Sequence, residues 1–187
     1  NGIGEKQDAK FFSHYFLHGD DSLIKSIHQA GFTEDDITDV FLTHLHFDHA
    51  GGNTILNEKG GIVPAFPRAR YLIQKGEMEA AINSNERTRA SYITEDFLPL
   101  DNPQYLSLVN EDIVEVDKGI SLIKIGGHTR HHQCVKIESE GHVAFFLGDL
   151  VPTVAHLHYP YISGYDLFPL ETLENKKKVL RQAFEEH

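Results

Sequence analysis

The segment FLTHLHFDHAGGN, residues 41–53, concentrates three histidines and one aspartate within six consecutive positions, 44–49. Imidazole nitrogens and carboxylate oxygens are ligands for zinc and similar divalent ions. In an extended or looped segment, residues two apart point the same way, so His44 and His46 can reach one ion together. Asp48 and His49 lie further along and can face a neighbouring ion. Four costly polar groups in one short loop would be hard to satisfy otherwise, so this pattern predicts metal binding.

A second group of histidines follows two glycines in the segment GGHTRHH, residues 126–132. The glycines mark a backbone turn, and His128 comes directly after it. We predict that His128 is a metal ligand. His131 and His132 are predicted to orient ligands or to be structural, because ligating histidines need hydrogen-bond partners that fix their rings.

A third element, FLGD at residues 146–149, places a carboxylate after an apolar run. By itself Asp149 would be a helix cap or a turn residue. Burying a carboxylate is expensive unless it is paired or bound to a metal. Beside the two histidine motifs, Asp149 is therefore predicted to bridge metal ions.

The elements that must position these groups alternate between helix and strand. Apolar residues at helical spacing predict a helix in 21–32 that stops at Gly31. The next segment, TEDDIT, is expected to form a turn with Thr33 as its N-cap. The strand DVFLT, 39–43, is expected to end at the first histidine motif, which places that motif on a loop. Further predictions are a strand at 70–74, a helix at 75–83, and an irregular stretch at 84–110.

The second half of the chain predicts a series of strands and one final helix. Turn residues at 117–119 and 140–141 separate strands predicted at 112–116, 120–125, 133–139 and 142–149. The last strand is nearly all apolar, which is typical of a strand buried on both faces. The final helix, 170–184, is expected to place Leu170, Leu173, Leu180 and Phe184 on one apolar face. The order of elements indicates an α/β layered domain.

Composition narrows the classes of function. The chain has 187 residues, 13 of them histidine, and a formal net charge of −11, which disfavours a nucleic-acid-binding surface. Cys134 is the single cysteine, so no intrachain disulfide forms and a cytoplasmic location is expected. No apolar run approaches the roughly 18 residues of a membrane-spanning helix, so no membrane association is expected.

Taken together, THLHFDH (43–49), GGHT (126–129) and GD (148–149) resemble the metallo-β-lactamase superfamily in order and spacing. The resemblance implies a four-layer αββα sandwich over a single domain, 1–187, with two divalent metal ions. Zinc is the expected metal, with iron or manganese as alternatives. The implied ligands are His44, His46 and His128 for the first ion, Asp48 and His49 for the second, and Asp149 as the bridge.

The two ends of the chain depart from the family pattern. The opening NGIGEK resembles the residues just after an early Asp-Thr-Gly-like turn of the family. A final histidine ligand of the family follows a strand beyond the terminal helix, whereas this sequence reaches His187 while still helical. The resemblance therefore predicts a chain truncated at both ends. His187, His156 and His158 are not expected to replace the missing ligand.

Within the superfamily, the chain resembles the branch of the acyl-homoserine-lactone lactonases. The resemblance rests on HFDHAGGN (46–53), the insertion at 66–92 and the segment 149–166. It implies that a metal-bridging hydroxide opens a lactone or cleaves a carboxylic ester, with Asp48 and Asp149 as catalytic residues. Asp48 would pass a proton to the leaving alkoxide.

A departure from this branch concerns its tyrosine three residues after the bridging aspartate. That position is Pro152 here. Tyr159, Tyr161 or Tyr165 could supply the phenol instead, or could be ordinary packing residues.

Other functions stay open on the sequence. The same metal pair serves hydrolysis of a phosphoester or an organophosphate triester, and a glyoxalase-type thioesterase is a further enzyme alternative. The non-enzyme alternative is a metal-binding structural or sensory module. The expected partner is a small molecule with an acyl or ester group. Residues 66–110 are expected to form a lid over the site or a contact within a homodimer.

Overall fold

The computed structural model describes residues 1–186, so His187 lies outside the described residues. These residues contain five α-helices and nine β-strands. The helices are α1 (Ala9–Ser13), α2 (Leu23–Gln29), α3 (Phe47–Ala50), α4 (Lys75–Ile82) and α5 (Pro169–Glu185). The strands are β1 (Asp39–Phe41), β2 (Thr54–Leu56), β3 (Ile62–Pro64), β4 (Arg70–Gln74), β5 (Leu106–Val109), β6 (Ile113–Asp117), β7 (Ile120–Lys124), β8 (Gln133–Ser139) and β9 (His142–Phe146).

The described chain forms two compact units. The first unit comprises residues 1–72 and 81–107, and the second comprises residues 73–80 and the described residues from 108 onward. No helix in residues 1–186 combines the length and the hydropathy needed to cross a membrane.

The first unit carries strand β1 parallel to β4, with Val40 opposite Tyr71. Both residues are buried, so the apolar runs of these strands form part of a core. The Tyr71 hydroxyl accepts a hydrogen bond from the Phe66 amide at 2.9 Å and donates one to the Asn53 carbonyl at 3.2 Å. These bonds tie the core to the segment that follows α3, because Asn53 lies just beyond that helix.

The helix α2 lies within the predicted segment 21–32 and ends before Gly31, as predicted. The Ser22 hydroxyl accepts a hydrogen bond from the Lys25 amide at 3.2 Å, which satisfies a donor of the first turn. Gly31 lies past the last turn with φ of +86°, a conformation that glycine adopts without strain. The Asp36 carboxylate caps the next turn by accepting from the amide and the hydroxyl of Thr33, both at 2.8 Å.

The second unit is built on an antiparallel sheet in the order β6-β7-β8-β9. The predicted turn at 140–141 joins β8 to β9, with Glu140 at φ +52° and Gly141 at φ +81°, as a two-residue hairpin turn requires. The core behind the sheet contains Cys134, whose thiol is buried. Burial raises the pKa of this thiol to about 12, so Cys134 behaves as an apolar core residue.

Several predicted bounds are confirmed, and others are wrong. Strands β4 and β8 have the predicted bounds. The stretch 84–110, predicted to be irregular, contains β5 at its end. The prediction that 142–149 is buried on both faces is wrong. β9 ends at Phe146, and its residues alternate between exposed and half-buried, because β9 is an edge strand of the sheet.

The predicted apolar face of α5 is also wrong. Leu170 and Phe184 are 77% and 83% exposed. The buried face of α5 instead carries Thr172, Lys176 and Val179. The two polar residues are accommodated because the Thr172 hydroxyl bonds to the Phe168 carbonyl and the Lys176 ammonium bonds to backbone carbonyls. Hydrophobic periodicity cannot detect a face whose buried positions are satisfied polar groups.

A pH-dependent contribution to stability follows from Tyr71. Burial raises the pKa of its phenol to about 12, against an unfolded value near 10. The folded state therefore holds the phenol proton more tightly, and stability present below pH 10 is lost as the pH rises from 10 to 12, by roughly 2–3 kcal/mol. In Tyr71→Phe we expect a smaller fall in unfolding free energy over this range, measured by urea denaturation at several pH values. An equal fall in both proteins would contradict the assignment.

Candidate metal centre

The first ligand motif is divided between an extended segment and a short helix. Strand β1 ends at Phe41, and residues 42–46 continue without regular structure. His46 has extended φ and ψ and is the N-cap residue of α3, so Asp48 and His49 lie on that helix. The prediction that all four residues share a loop is therefore wrong for the last two, because the chain begins a helical turn after His46.

This helical turn brings the three histidine rings of the first motif together. The ring centroid of His44 lies 4.6 Å from that of His46 and 4.3 Å from that of His49. His44 and His46 are buried. Converging imidazoles of this kind are the nitrogen ligands that zinc, iron and manganese sites use.

Two polar contacts orient this histidine group. The Thr43 hydroxyl lies 3.0 Å from His44 Nδ1. If Nδ1 donates to this hydroxyl, Nε2 is the nitrogen that would be directed toward a metal ion. Asp48 Oδ2 lies 3.4 Å from His49 Nε2, and its side chain is about half exposed. The carboxylate of Asp48 therefore lies beside the histidine group with access to solvent.

The segment after α3 is held in place by the first residues of the chain. A Cβ on Gly51 would collide with the backbone of Ile3, so this glycine permits a close approach that other residues would block. Lys6 Nζ donates to the Gly51 carbonyl at 2.5 Å and pairs with Asp96 Oδ1 at 2.5 Å. Burial raises the pKa of Asp96, and the Lys6 charge opposes that shift. This buried ion pair anchors the backbone that follows Asp48 and His49.

The second unit holds His128 between two carboxylates. His128 Nδ1 lies 2.9 Å from Asp166 Oδ1, and Nε2 lies 3.3 Å from Asp149 Oδ2. His128 is buried, and the side chain of Asp166 is fully buried. A carboxylate on one ring nitrogen fixes the ring and its tautomer for ligation through the other nitrogen. The structure therefore brings His128 and Asp149 together, and their roles as metal ligands stay a prediction.

Asp166 is the polar residue of this group that the sequence did not single out. It lies 38 residues from His128 along the chain, in a segment without regular structure. The sequence indicates only that a ligating histidine needs a hydrogen-bond partner at its second ring nitrogen. That rule does not say which residue is the partner.

The backbone around His128 is fixed by the start of α5. Gly127 has φ of +129°, and a Cβ there would collide with Thr172. The Phe168 amide donates to the Gly127 carbonyl at 2.8 Å, and the Leu167 amide donates to the His128 carbonyl at 3.1 Å. These bonds place the segment that carries Asp166 directly along the backbone of His128.

The neighbouring histidines take supporting positions. The Asp149 amide donates to His132 Nε2 at 3.1 Å, so His132 fixes the backbone of the predicted bridging aspartate. The His131 ring lies against the backbone of Gly76. Burial, with the charges of Lys124 and Arg130, lowers the pKa of His131. Both residues have structural contacts, and their predicted roles as non-ligands stay a prediction.

The segment after Asp149 exposes its aromatic residues. Tyr159, Tyr161 and Tyr165 are all exposed. The hydroxyl of Thr153 lies 2.8 Å from His156 Nδ1, which gives this histidine a local partner.

The orientation of His128 can be tested by removing the acceptor at its Nδ1. In Asp166→Ala we expect zinc affinity to fall by about 10- to 100-fold, because the ring loses the contact that aligns Nε2. Competition with a chromophoric chelator measures this affinity. Asp112→Ala is the matched control, since Asp112 is an exposed partner of Lys124. Unchanged affinity in Asp166→Ala, or an equal loss in the control, would contradict the assigned role.

Comparison with known proteins places these motifs in context. The chain is 34% identical over 121 residues to an N-acyl homoserine lactonase of Bacillus sp., a match that covers 65% of this chain and 41% of the lactonase. The chain thus spans less than half the length of that curated relative.

Solved structures share the fold. A probable metal-dependent hydrolase from Staphylococcus aureus matches with a TM-score of 0.89 and 28% identity, over 99% of this chain and 65% of the other. An N-acyl homoserine lactone hydrolase, solved with N-hexanoyl-L-homoserine at its catalytic metal centre, matches with a TM-score of 0.67 and 25% identity, over 88% and 58% of the two chains.

These similarities extend beyond the ligand motifs to nearly the whole chain. The family model of the metallo-beta-lactamase superfamily matches residues 9–184, which include both histidine segments and Asp149. The α/β class and the family fold expected from the motifs are confirmed. The chain belongs to the metallo-beta-lactamase superfamily.

Proposed function

We propose that this chain is the metal-binding part of a hydrolase that opens the lactone ring of N-acyl homoserine lactones. The observation that carries the proposal is the convergence of the three histidine rings of the HLHFDH segment, with centroids within 4.6 Å of His44. An arrangement of buried nitrogen ligands with an adjacent solvent-accessible carboxylate suits metal-assisted hydrolysis better than a structural site, which is usually closed and rich in cysteine.

The proposed site holds two divalent metal ions. All six proposed ligands offer nitrogen or oxygen, a donor set that fits zinc and also iron or manganese. We assign zinc as the metal. The first ion is assigned to His44, His46 and His128, the second to Asp48 and His49, and the bridge to Asp149. When bound, such a metal pair supplies a hydroxide nucleophile at neutral pH and polarises the substrate carbonyl.

The chain's own residues supply orientation and a proton. Asp149 is held by the His132 ring at its amide and lies beside His128, so its carboxylate has a defined direction. Opening a lactone breaks the bond between the acyl carbon and the ring oxygen, and the departing alkoxide must gain a proton. Asp48 is the proposed relay, because its half-exposed carboxylate can take up a proton from solvent and pass it to the alkoxide.

The choice of a lactone substrate rests on the relatives. The Bacillus protein is an N-acyl homoserine lactonase, and the solved hydrolase carries the opened product at its metal centre. We propose a small acyl lactone as the partner of this chain, and a cytoplasmic homodimer as its form in the cell. We also propose that residues 1–187 act as one domain in which residues 66–110 form a lid or a dimer contact.

The activity is tested with the full-length, zinc-loaded protein by following acid release in a pH-stat. We expect turnover of medium- and long-chain acyl homoserine lactones that a chelator abolishes. His44→Ala and Asp149→Ala should each lower kcat/KM by more than about 100-fold, because each removes a proposed ligand. Asp48→Asn should lower kcat by about 10²- to 10⁴-fold, because it removes both the proton relay and a proposed carboxylate ligand.

Controls for this assay are available in the same chain. His142→Ala removes an exposed histidine of β9 and should leave kcat/KM within about twofold of the wild type. Turnover of a phosphotriester or a phosphodiester without any lactone hydrolysis would overturn the substrate class. Firm zinc binding without turnover of any of these compounds would overturn the enzymatic proposal.

A further inference from the structure

Lys176 is a buried cation on the inner face of α5. Its side chain is fully buried, and its ammonium donates three hydrogen bonds to backbone carbonyls. The acceptors are His156 at 3.0 Å, His158 at 3.0 Å and Tyr161 at 2.6 Å. Three bonds use all the donors of an ammonium group, so the position of Lys176 fixes three points of the segment 156–161.

Burying the Lys176 ammonium costs free energy, so a lysine at this position calls for an explanation. Burying an ammonium requires full hydrogen bonding, and an apolar residue of similar size would avoid the desolvation penalty. Burial lowers the pKa of Lys176, and the charge of Asp166 acts in the opposite direction. The lysine is therefore electrostatically linked to the carboxylate that contacts His128.

The segment held by Lys176 contains little regular secondary structure to fix its backbone. It runs from Asp149 to Asp166, and both end residues contact His128. The described chain there forms two short 3₁₀ turns, Gly148–Leu150 and Val154–Leu157, and no strand or α-helix. Backbone carbonyls in such a segment need partners when buried, and the ammonium supplies them for three residues.

The positive charge on Lys176 also helps to stabilise the buried carboxylate of Asp166. Oδ1 of Asp166 contacts His128, but the buried Oδ2 has no hydrogen-bond partner among residues 1–186. A buried carboxylate with one unsatisfied oxygen is unfavourable unless a positive charge lies near it. Lys176, on α5, is a buried cation that interacts electrostatically with this carboxylate.

We propose that Lys176 is a positioning residue for the metal ligand His128. Its ammonium holds the segment 156–161 and stabilises the carboxylate of Asp166, which in turn aligns the His128 ring. The inference rests on the metal-binding part of the proposed function and extends it to a residue that does not touch metal or substrate.

Substitution Lys176→Met tests the inference in the full-length protein, because methionine keeps an apolar side chain and removes all three donors. We expect zinc affinity, measured by chelator competition, to fall about 10- to 100-fold. The visible absorption bands of the cobalt(II)-substituted protein should also change, since they report ligand geometry. Lys178→Met is the matched control: Lys178 is an exposed residue of the same helix, and both readouts should match the wild type.

A double-substitution cycle separates positioning from general destabilisation. If Lys176 acts through Asp166, the variant Lys176→Met/Asp166→Ala should bind zinc no more weakly than the weaker single variant. Additive losses in zinc affinity would overturn the inference, as would an unchanged affinity and cobalt spectrum in Lys176→Met. Wild-type protein that binds no zinc would instead overturn the proposed function.

Circular dichroism shows whether Lys176→Met folds. If it does not, Lys176→Gln replaces it, since its amide can donate two of the three bonds. A loss of zinc affinity in this folded variant is expected, and unchanged affinity would overturn the inference.

Discussion

The structure depends on one constraint, the burial of ligand-type side chains beside groups that offset their loss of contact with water. Imidazoles and carboxylates are expensive to remove from water, so charged and polar neighbours decide where they can lie. The clearest case is His128, whose two ring nitrogens lie beside Asp166 and Asp149. The same requirement explains how α5 can present Lys176 to the interior, because its ammonium donates to the backbone carbonyls of His156, His158 and Tyr161.

The segments that carry the proposed ligands are held by backbone geometry as much as by side chains. Gly51 permits the close approach of Ile3, and Gly127 adopts a positive φ against Thr172. The Lys6–Asp96 pair and the Lys176 ammonium then anchor the chain beyond each ligand group. Rigid support of this kind matters for metal chemistry, because an error of about 1 Å in a reacting group can cost about 10²-fold in rate.

The site chemistry and the family membership support the same function from independent directions. The donor set contains nitrogen and oxygen but no sulfur, which favours a hydrolytic metal site over a structural zinc site. The superfamily match covers residues 9–184, and the relatives that direct the choice of substrate act on N-acyl homoserine lactones. The proline at position 152 marks a difference from the lactonase pattern, and Tyr159, Tyr161 and Tyr165, which follow it along the chain, are exposed.

The sequence by itself determined the ligand candidates, the fold class and most strands. His44, His46, Asp48, His49 and His128 stand out because residue type and spacing are local properties, and strands β4 and β8 follow from short apolar runs bounded by turns. Only the tertiary structure decided the partner of His128, since Asp166 is 38 residues away and no local pattern connects the two. It also decided that β9 is an edge strand and that Lys176 faces inward. Those outcomes depend on which distant groups lie nearby to satisfy a buried charge or cover a sheet, and that information is not contained in any window of neighbouring residues.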